Sequence, residues 1–164
     1  MTESCSPQVF PNSGILKTPA YIKTWVGVPV FQTILPYESN DLPRGGGWGS
    51  VRNILFSNFT VENASQGPYI TQDYGDDGKH SGSSLIDVSN VAFVGFSGSL
   101  AASATIAATV NCTKTSPCYN VDFKDLKLKG PNLSASSSSG NNKKYPAGKC
   151  TFVETSGVHG LQGC

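Results

Sequence analysis

The stretch VRNILFSNFTV at Val51–Val61 decides the fold, because the chain repeats its pattern twice. The copies are VSNVAFVGFSG at Val88–Gly98 and YNVDFKDLKL at Tyr119–Leu128. Each copy alternates apolar and polar residues in the manner of a strand that buries one face. A pattern that recurs after roughly 30 to 40 residues is typical of a solenoid, in which each repeat forms one turn of a stack.

The apolar residues of the three copies align position by position. The equivalent sets are Ile54, Val91 and Val121; Phe56, Phe93 and Phe123; and Phe59, Phe96 and Leu126. From Phe56 to Phe59 the interval is three residues, which would reverse the facing of a straight strand. We therefore expect a bend between these two residues, so that both side chains point to one interior.

A further strand-like segment accompanies each copy: AYIKTWVG at Ala20–Gly27, GPYITQDY at Gly67–Tyr74 and ATIAATVNC at Ala104–Cys112. The order of segments predicts an all-β protein, a parallel β-helix whose coils bury their apolar faces only against neighbouring coils. An immunoglobulin-like sandwich is the alternative, but its antiparallel hairpins favour Asn-Gly turns, which are scarce here. Equivalent asparagines can form an amide ladder that satisfies buried backbone groups; they are Asn53, Asn90 and Asn120.

The domain organisation follows from this pattern. The length of 164 residues suits one domain. We expect an N-terminal segment at 1–17, β-helix coils at 18–130, and a mobile loop with a disulfide-tied cap at 131–164. Residues 28–50 read as a long loop, and 133–147 as a low-complexity stretch.

The charge composition excludes some partners. Charged residues make up 14 % of the chain and the formal net charge is +1, so the sequence predicts neither nucleic acid nor a membrane surface as a partner. No apolar run is long enough to span a bilayer. We expect no cofactor and no metal ion.

Cysteines and sequons indicate an oxidising compartment. The spacing predicts two local disulfides, Cys112 with Cys118 and Cys150 with Cys164. A metal site is the alternative, but it needs closer Cys-x-x-Cys pairs or histidine partners. Glycosylation sequons occur at Asn58, Asn63, Asn111 and Asn132. The N-terminus shows no secretory signal and Cys5 is left over, so we interpret the chain as the later part of a longer one.

Lys23 and Tyr74 are the candidate binding residues. They lie in YIKTW and YITQDY, which would stack as neighbouring strands about 4.8 Å apart. A lysine between Tyr21 and Trp25 suits an acidic sugar, because the ammonium pairs with a carboxylate while rings cover apolar sugar faces. A solvated lysine and a rim tyrosine are the plainer alternative.

The acidic residues are weaker candidates. Asp73, Asp76 and Asp77, with His80, look like an acid/base group, but YGDDGKHSGSS is a glycine-rich turn. Glycoside hydrolysis needs carboxyl groups held at a fixed spacing by rigid strands. Calcium binding by the same aspartates is an alternative. We interpret His159 as structural and assign no catalytic residue.

Several segments taken together resemble glycoside hydrolase family 28, the polygalacturonases and rhamnogalacturonases, especially its fungal exo-acting members. They lie between Thr18 and Cys164 and read YIKTWVG, RGGGWGSVRNILFSNFTVENA, GPYITQDYGD, PCYN and GVHGLQGC. The resemblance implies a right-handed parallel β-helix, secretion, and inverting hydrolysis of an α-linked pectic chain such as galacturonan or rhamnogalacturonan.

The resemblance carries over residue by residue only in part. The family's Arg-Ile-Lys motif maps onto Tyr21-Ile22-Lys23, and the tyrosine of its Gln-Asp-Tyr onto Tyr74, so Lys23 and Tyr74 are implied to bind substrate. Tyr21 stands in place of the arginine, which favours an altered subsite. The family's catalytic Asn-Thr-Asp, Asp-Asp and Gly-His-Gly motifs precede that strand and are not found here.

We therefore expect the C-terminal portion of a pectin-degrading glycosidase, truncated at its N-terminal side and inactive alone. A non-catalytic pectin-binding or plant-interacting secreted protein is the first alternative. A calcium-dependent pectin lyase on the same helix is another. An open strand edge would also permit self-association.

Overall fold

The computed structural model describes residues 17–25, 49–74, 82–133, 138–139, 143–144, 146–154 and 157–164. All regular structure within them is β-strand. The strands are β1 Tyr21–Trp25, β2 Gly49–Ala64, β3 Tyr69–Tyr74, β4 Ile86–Leu100, β5 Ala108–Asn111, β6 Tyr119–Lys124, β7 Lys127–Lys129, β8 Ser138–Ser139, β9 Lys143–Lys144, β10 Gly148–Thr151 and β11 Val158–His159. The described part contains no helix with the length and hydrophobicity needed to cross a bilayer.

Successive passes of the chain build two sheets. The first sheet has the strand order β1-β3-β5-β10, and the second has the order β11-β6-β4-β2, with β7 also paired to β4. Neighbouring strands in both sheets run parallel, whereas a sandwich is built from antiparallel hairpins. The predicted all-β parallel β-helix is confirmed. The short pair β8–β9 is antiparallel.

The register stacks the aligned apolar residues into columns. Phe56 pairs with Phe93 and Phe93 with Phe123, and the ring centroids lie 5.1 and 4.9 Å apart. A second column places Phe59 on Phe96 with centroids 4.7 Å apart. These rings, and the aliphatic residues aligned with them, form the continuous core that a single coil could not bury.

Asparagines turn the chain at the first corner of each copy. Asn53, Asn90 and Asn120 have φ of 59°, 52° and 52°, in the left-handed region that asparagine tolerates better than most residues. Asn90 Nδ2 donates to Asn53 Oδ1 at 3.2 Å, and Asn120 Nδ2 to Asn90 Oδ1 at 2.5 Å. The amide ladder forms, but these residues are exposed, because they turn the outside of a corner and do not line the interior.

The predicted bend between Phe56 and Phe59 is the second corner. Asn58, Gly95 and Asp125 occupy it in the three copies, with φ of 60°, 70° and 53°. At Gly95 a Cβ atom would lie 3.0 Å from Asn58 Oδ1, so both the positive φ and the neighbouring coil favour glycine.

The segment expected as a disulfide-tied cap joins both sheets. Its strand β10 pairs with β5, and β11 pairs with β6. Disulfides link Cys112 to Cys118 and Cys150 to Cys164, which are the pairs that the spacing predicts. Cys5, residues 28–48 of the predicted long loop and most of 133–147 lie outside the described residues.

Candidate functional site

Alternation along β1 determines which side chains face solvent. Ile22 and Thr24 are 6 % and 7 % exposed, whereas Tyr21 and Lys23, which alternate with them, are exposed, as the two-residue period of a strand requires. At the end of β3, Tyr74 is 40 % exposed. We call the outward surface of β1, β3, β5 and β10 the outer face.

Lys23 and Tyr74 are in contact on the outer face. The Lys23 ammonium Nζ lies 3.0 Å from the centroid of the Tyr74 ring, which is within the range of a cation–π interaction. The register of β1 and β3 shifts between Lys23, which pairs with Thr71, and Trp25, which pairs with Tyr74. The structure thus brings the two sequence-predicted residues together.

A second tyrosine pair lies beside this contact. Tyr21 and Tyr69 pair across β1 and β3, and their rings meet edge to face with centroids 5.1 Å apart. Burial raises the pKa of Tyr21 above its usual value, and the neighbouring phenols of Tyr69 and Tyr74 raise it further. Tyr69 is not among the residues predicted from the sequence, although aligning YIKTW with YITQD pairs it with Tyr21.

A row of polar side chains continues from Lys23 across the other coils. Thr71 pairs with Lys23 and with Asn111, and Asn111 pairs with Thr151. Asn111 Nδ2 donates to Thr71 Oγ1 at 3.4 Å, and Thr151 Oγ1 donates to Asn111 Oδ1. We call Lys23, Thr71, Asn111 and Thr151 the polar row. Sequence reasoning missed its last three members.

A buried amide supports the backbone under the outer face. Gln72, next to Thr71, has no exposed surface. Its Oε1 accepts from the Thr113 backbone N–H at 2.8 Å, and its Nε2 donates to the Ile86 carbonyl. A buried amide left without partners is costly, and these two bonds tie β3 to the first residue of β4 and to the segment that follows β5.

The described acidic side chains lie away from the outer face. Glu62, Asp87 and Asp122 belong to the second sheet, Asp125 lies between β6 and β7, and Glu154 lies on the connection from β10 to β11. Among the described residues, no group of three histidine, cysteine or acidic side chains could hold a metal ion. Asp76, Asp77 and His80, and the side chains of Asp73 and Trp25, lie outside what the structure describes.

The sequon asparagines differ in their surroundings. Asn58, Asn63 and Asn132 are exposed, and Asn111 is half-buried in the polar row. Asn132 Nδ2 also donates to the Ala102 carbonyl at 2.7 Å. Their glycosylation stays a prediction. His159 is exposed in β11, where it pairs with Asp122 of β6.

Stacked parallel coils, with lysine, tyrosines and hydroxyl groups on one outward sheet face, define a parallel β-helix protein with a polar, aromatic surface. Residues 43–151 match the model of glycosyl hydrolases family 28, and the chain belongs to this family. No solved structure matches the chain significantly.

Curated relatives agree with the family. The chain is 48 % identical over 145 residues to "Putative galacturan 1,4-alpha-galacturonidase C" of Neosartorya fischeri, a match that covers 88 % of this chain and 32 % of the relative. It is 46 % identical over 146 residues to the protein of the same name in Aspergillus niger, with the same coverage. It is 28 % identical over 116 residues to "Probable exopolygalacturonase X" of Neosartorya fischeri, covering 68 % of this chain and 26 % of that protein. The chain therefore spans about a third of the length of its more similar relatives.

Proposed function

We propose that the outer face binds an acidic pectic polysaccharide, with Lys23 and Tyr74 as substrate-binding residues. The observation that carries the proposal is the Lys23 ammonium held over the Tyr74 ring, 3.0 Å from its centroid. A cation fixed in this way can pair with a sugar carboxylate. The exposed rings of Tyr21 and Tyr74 can cover the apolar faces of sugar rings.

We extend the proposal to the whole protein of which such a chain would form part. It would be a secreted glycosidase that cleaves α-linked galacturonan or rhamnogalacturonan with inversion, using two carboxyl groups on opposite sides of the scissile bond. The relatives named as a galacturonidase and an exopolygalacturonase support galacturonan as the substrate class. The two disulfides fit an oxidising compartment.

This chain alone is proposed to be inactive. Hydrolysis requires a pair of carboxyl groups at the sugar, and the described acidic side chains lie on the second sheet or on connections between strands. We expect no more reducing ends from polygalacturonate or rhamnogalacturonan incubated with the chain than from a buffer blank. Release of new reducing ends above the blank would contradict this expectation.

The same distribution of acidic groups favours the second candidate, a non-catalytic pectin-binding protein. Binding measured by titration calorimetry with polygalacturonate tests the site in either case. Lys23→Ala should raise the dissociation constant about fivefold, because a partly exposed ion pair is worth up to about 1 kcal/mol. Lys127→Ala, which removes an exposed lysine on the second sheet, is the matched control. Equal affinities of Lys23→Ala and the wild type would contradict the proposed site.

A further inference from the structure

The polar row ends in the last coil beside a second lysine. Lys149 of β10 pairs with Thr109 of β5, and Thr109 pairs with Tyr69. Since Tyr69 in turn pairs with Tyr21, Lys149 is in line with Tyr21. It therefore lies two residues before Thr151, the residue of β10 that is in line with Lys23. Lys149 is exposed, and the two-residue period places it on the same side of the sheet as Thr151.

We infer that Lys149 is a second carboxylate-binding site, and that the outer face takes a linear polyuronide long enough to reach from Lys23 to Lys149. This inference rests on the proposed function. It adds a minimum length for the ligand, and it identifies Lys149 as the residue that only a ligand of that length can contact.

The geometry sets the length of the ligand. The order β1-β3-β5-β10 separates the two lysines by three strand spacings, which is about 14 Å along the helix axis. The offset of two residues adds about 7 Å along the strands. A single sugar carboxylate cannot approach both ammonium groups at this separation, whereas a chain of linked uronic acids can cross the face obliquely.

The surface between the lysines can bind sugar hydroxyls. An asparagine amide has two N–H donors and two acceptor lone pairs. At Asn111 the bond to Thr71 uses one N–H donor, and the bond from Thr151 uses one lone pair of the amide oxygen. The Thr151 hydroxyl donates to Asn111 and can still accept. Asn111 and Thr151 therefore keep hydrogen-bonding capacity while they hold one another in place.

Charge complementarity selects the occupant. Lys23 and Lys149 are exposed and bring positive charge to the outer face, which favours an anionic ligand. The half-buried Asn111 and Thr151 and the exposed ring of Tyr21 suit a sugar chain, because a sugar presents hydroxyls to polar groups and apolar ring faces to aromatic side chains. A polyuronide supplies both carboxylates and hydroxyls along one linear chain, and it is the occupant that we propose.

The experiment compares ligand lengths on charge variants of the intact chain. Titrations with polygalacturonate and with a digalacturonate are made on wild type, Lys149→Ala and Lys149→Arg. We expect Lys149→Ala to weaken polygalacturonate binding about two- to fivefold, to leave digalacturonate binding unchanged, and to be rescued by Lys149→Arg. The difference from wild type should vanish in about 1 M salt, where the screening length is only about 3 Å.

The controls separate this inference from the proposed function. Failure of wild type to bind polygalacturonate would overturn both. Binding that is weakened by Lys23→Ala but unchanged by Lys149→Ala would overturn the inference alone. An equal loss in Lys127→Ala, on the second sheet, would show a non-specific charge effect and overturn it too. Equally tight binding of polyglutamate would also overturn it, because charge without sugar would then suffice.

Discussion

Single asparagines hold the backbone of each coil in the left-handed region at its first corner. Asn90 is the central one, because it donates to Asn53 and accepts from Asn120. Most residues other than glycine find this region unfavourable, by about 1–2 kcal/mol. The corner thus depends on a residue type that combines tolerance of positive φ with an amide able to bond in both directions along the stack.

Replacing Asn90 with alanine should lower the free energy of unfolding by about 1–2 kcal/mol, measured by urea denaturation. The loss combines backbone strain with two exposed amide hydrogen bonds. Asn90→Gly is the control, since glycine adopts φ of 52° without strain and loses only the bonds. Equal losses in the two variants would show that the backbone conformation is not what asparagine provides.

The phenol of Tyr21 makes stability depend on alkaline pH. Burial first, and then the phenols of Tyr69 and Tyr74, raise the pKa of Tyr21 in the folded chain above an unfolded value of about 10. The protonated Tyr21 phenol therefore contributes fully to the free energy of unfolding below pH of about 10, and this contribution is lost as the pH rises through the folded pKa.

Tyr21→Phe should accordingly make unfolding free energy fall less steeply above pH of about 10. Urea denaturation of wild type and variant at a series of alkaline pH values measures this slope. Tyr119→Phe, which removes a phenol from the second sheet, controls for general effects. A slope that Tyr21→Phe leaves unchanged would contradict the assignment.

Neighbouring strands stabilise one another through the columns of stacked side chains that they share. Phe93 of β4 is fully buried between Phe56 and Phe123, so it joins three coils. Phe56 of β2 is only half-buried, because β2 is the outermost described strand of its sheet. Equivalent residues of the repeat therefore contribute unequally to stability.

Phe93→Ala should cost about 3–5 kcal/mol of unfolding free energy, as large-to-small changes at buried phenylalanines do. Phe56→Ala should cost clearly less, since part of its ring surface is already in water. Denaturant unfolding of both variants measures the difference. If Phe56→Ala lowered the free energy of unfolding as much as Phe93→Ala, the result would contradict the conclusion that a ring's contribution depends on its burial within the column.

The molecule as a whole is a one-dimensional stack, in which each coil contacts its neighbours. In β4 the residues Val88, Val91, Phe93 and Phe96 are buried, whereas their partners in β2 are half-buried. Among the described strands, β2 has a partner on one side only, and a strand with one unpaired side presents backbone groups that can pair with another chain. We propose self-association through this edge.

Sedimentation velocity should therefore show an average mass that rises with protein concentration. Leu55→Glu should reduce the rise, because it replaces a side chain 46 % exposed on β2 with a charge. Phe152→Glu is the matched control. Phe152 is 54 % exposed, but it follows β10 of the first sheet and is not on the β2 edge of the second sheet. A constant monomer mass would contradict the proposal.

The sequence by itself determined the parallel stack, the phenylalanine columns, the bend at the second corner, both disulfide pairs and the place of Lys23 and Tyr74 on neighbouring strands. These features are local or strictly repeated, because a residue's facing follows from its parity in a strand and its column from its place in the repeat.

Only the tertiary structure decided which side chains meet across coils. The segments that connect the strands differ in length, so sequence separation does not show that Asn111 and Thr151 continue from Lys23, or that Lys149 is in line with Tyr21. The hydrogen-bond register sets these neighbours, since a slip of one residue would turn every side chain of a strand to the opposite face. The polar row and the proposed long ligand depend on that register, which is a property of the assembled sheet.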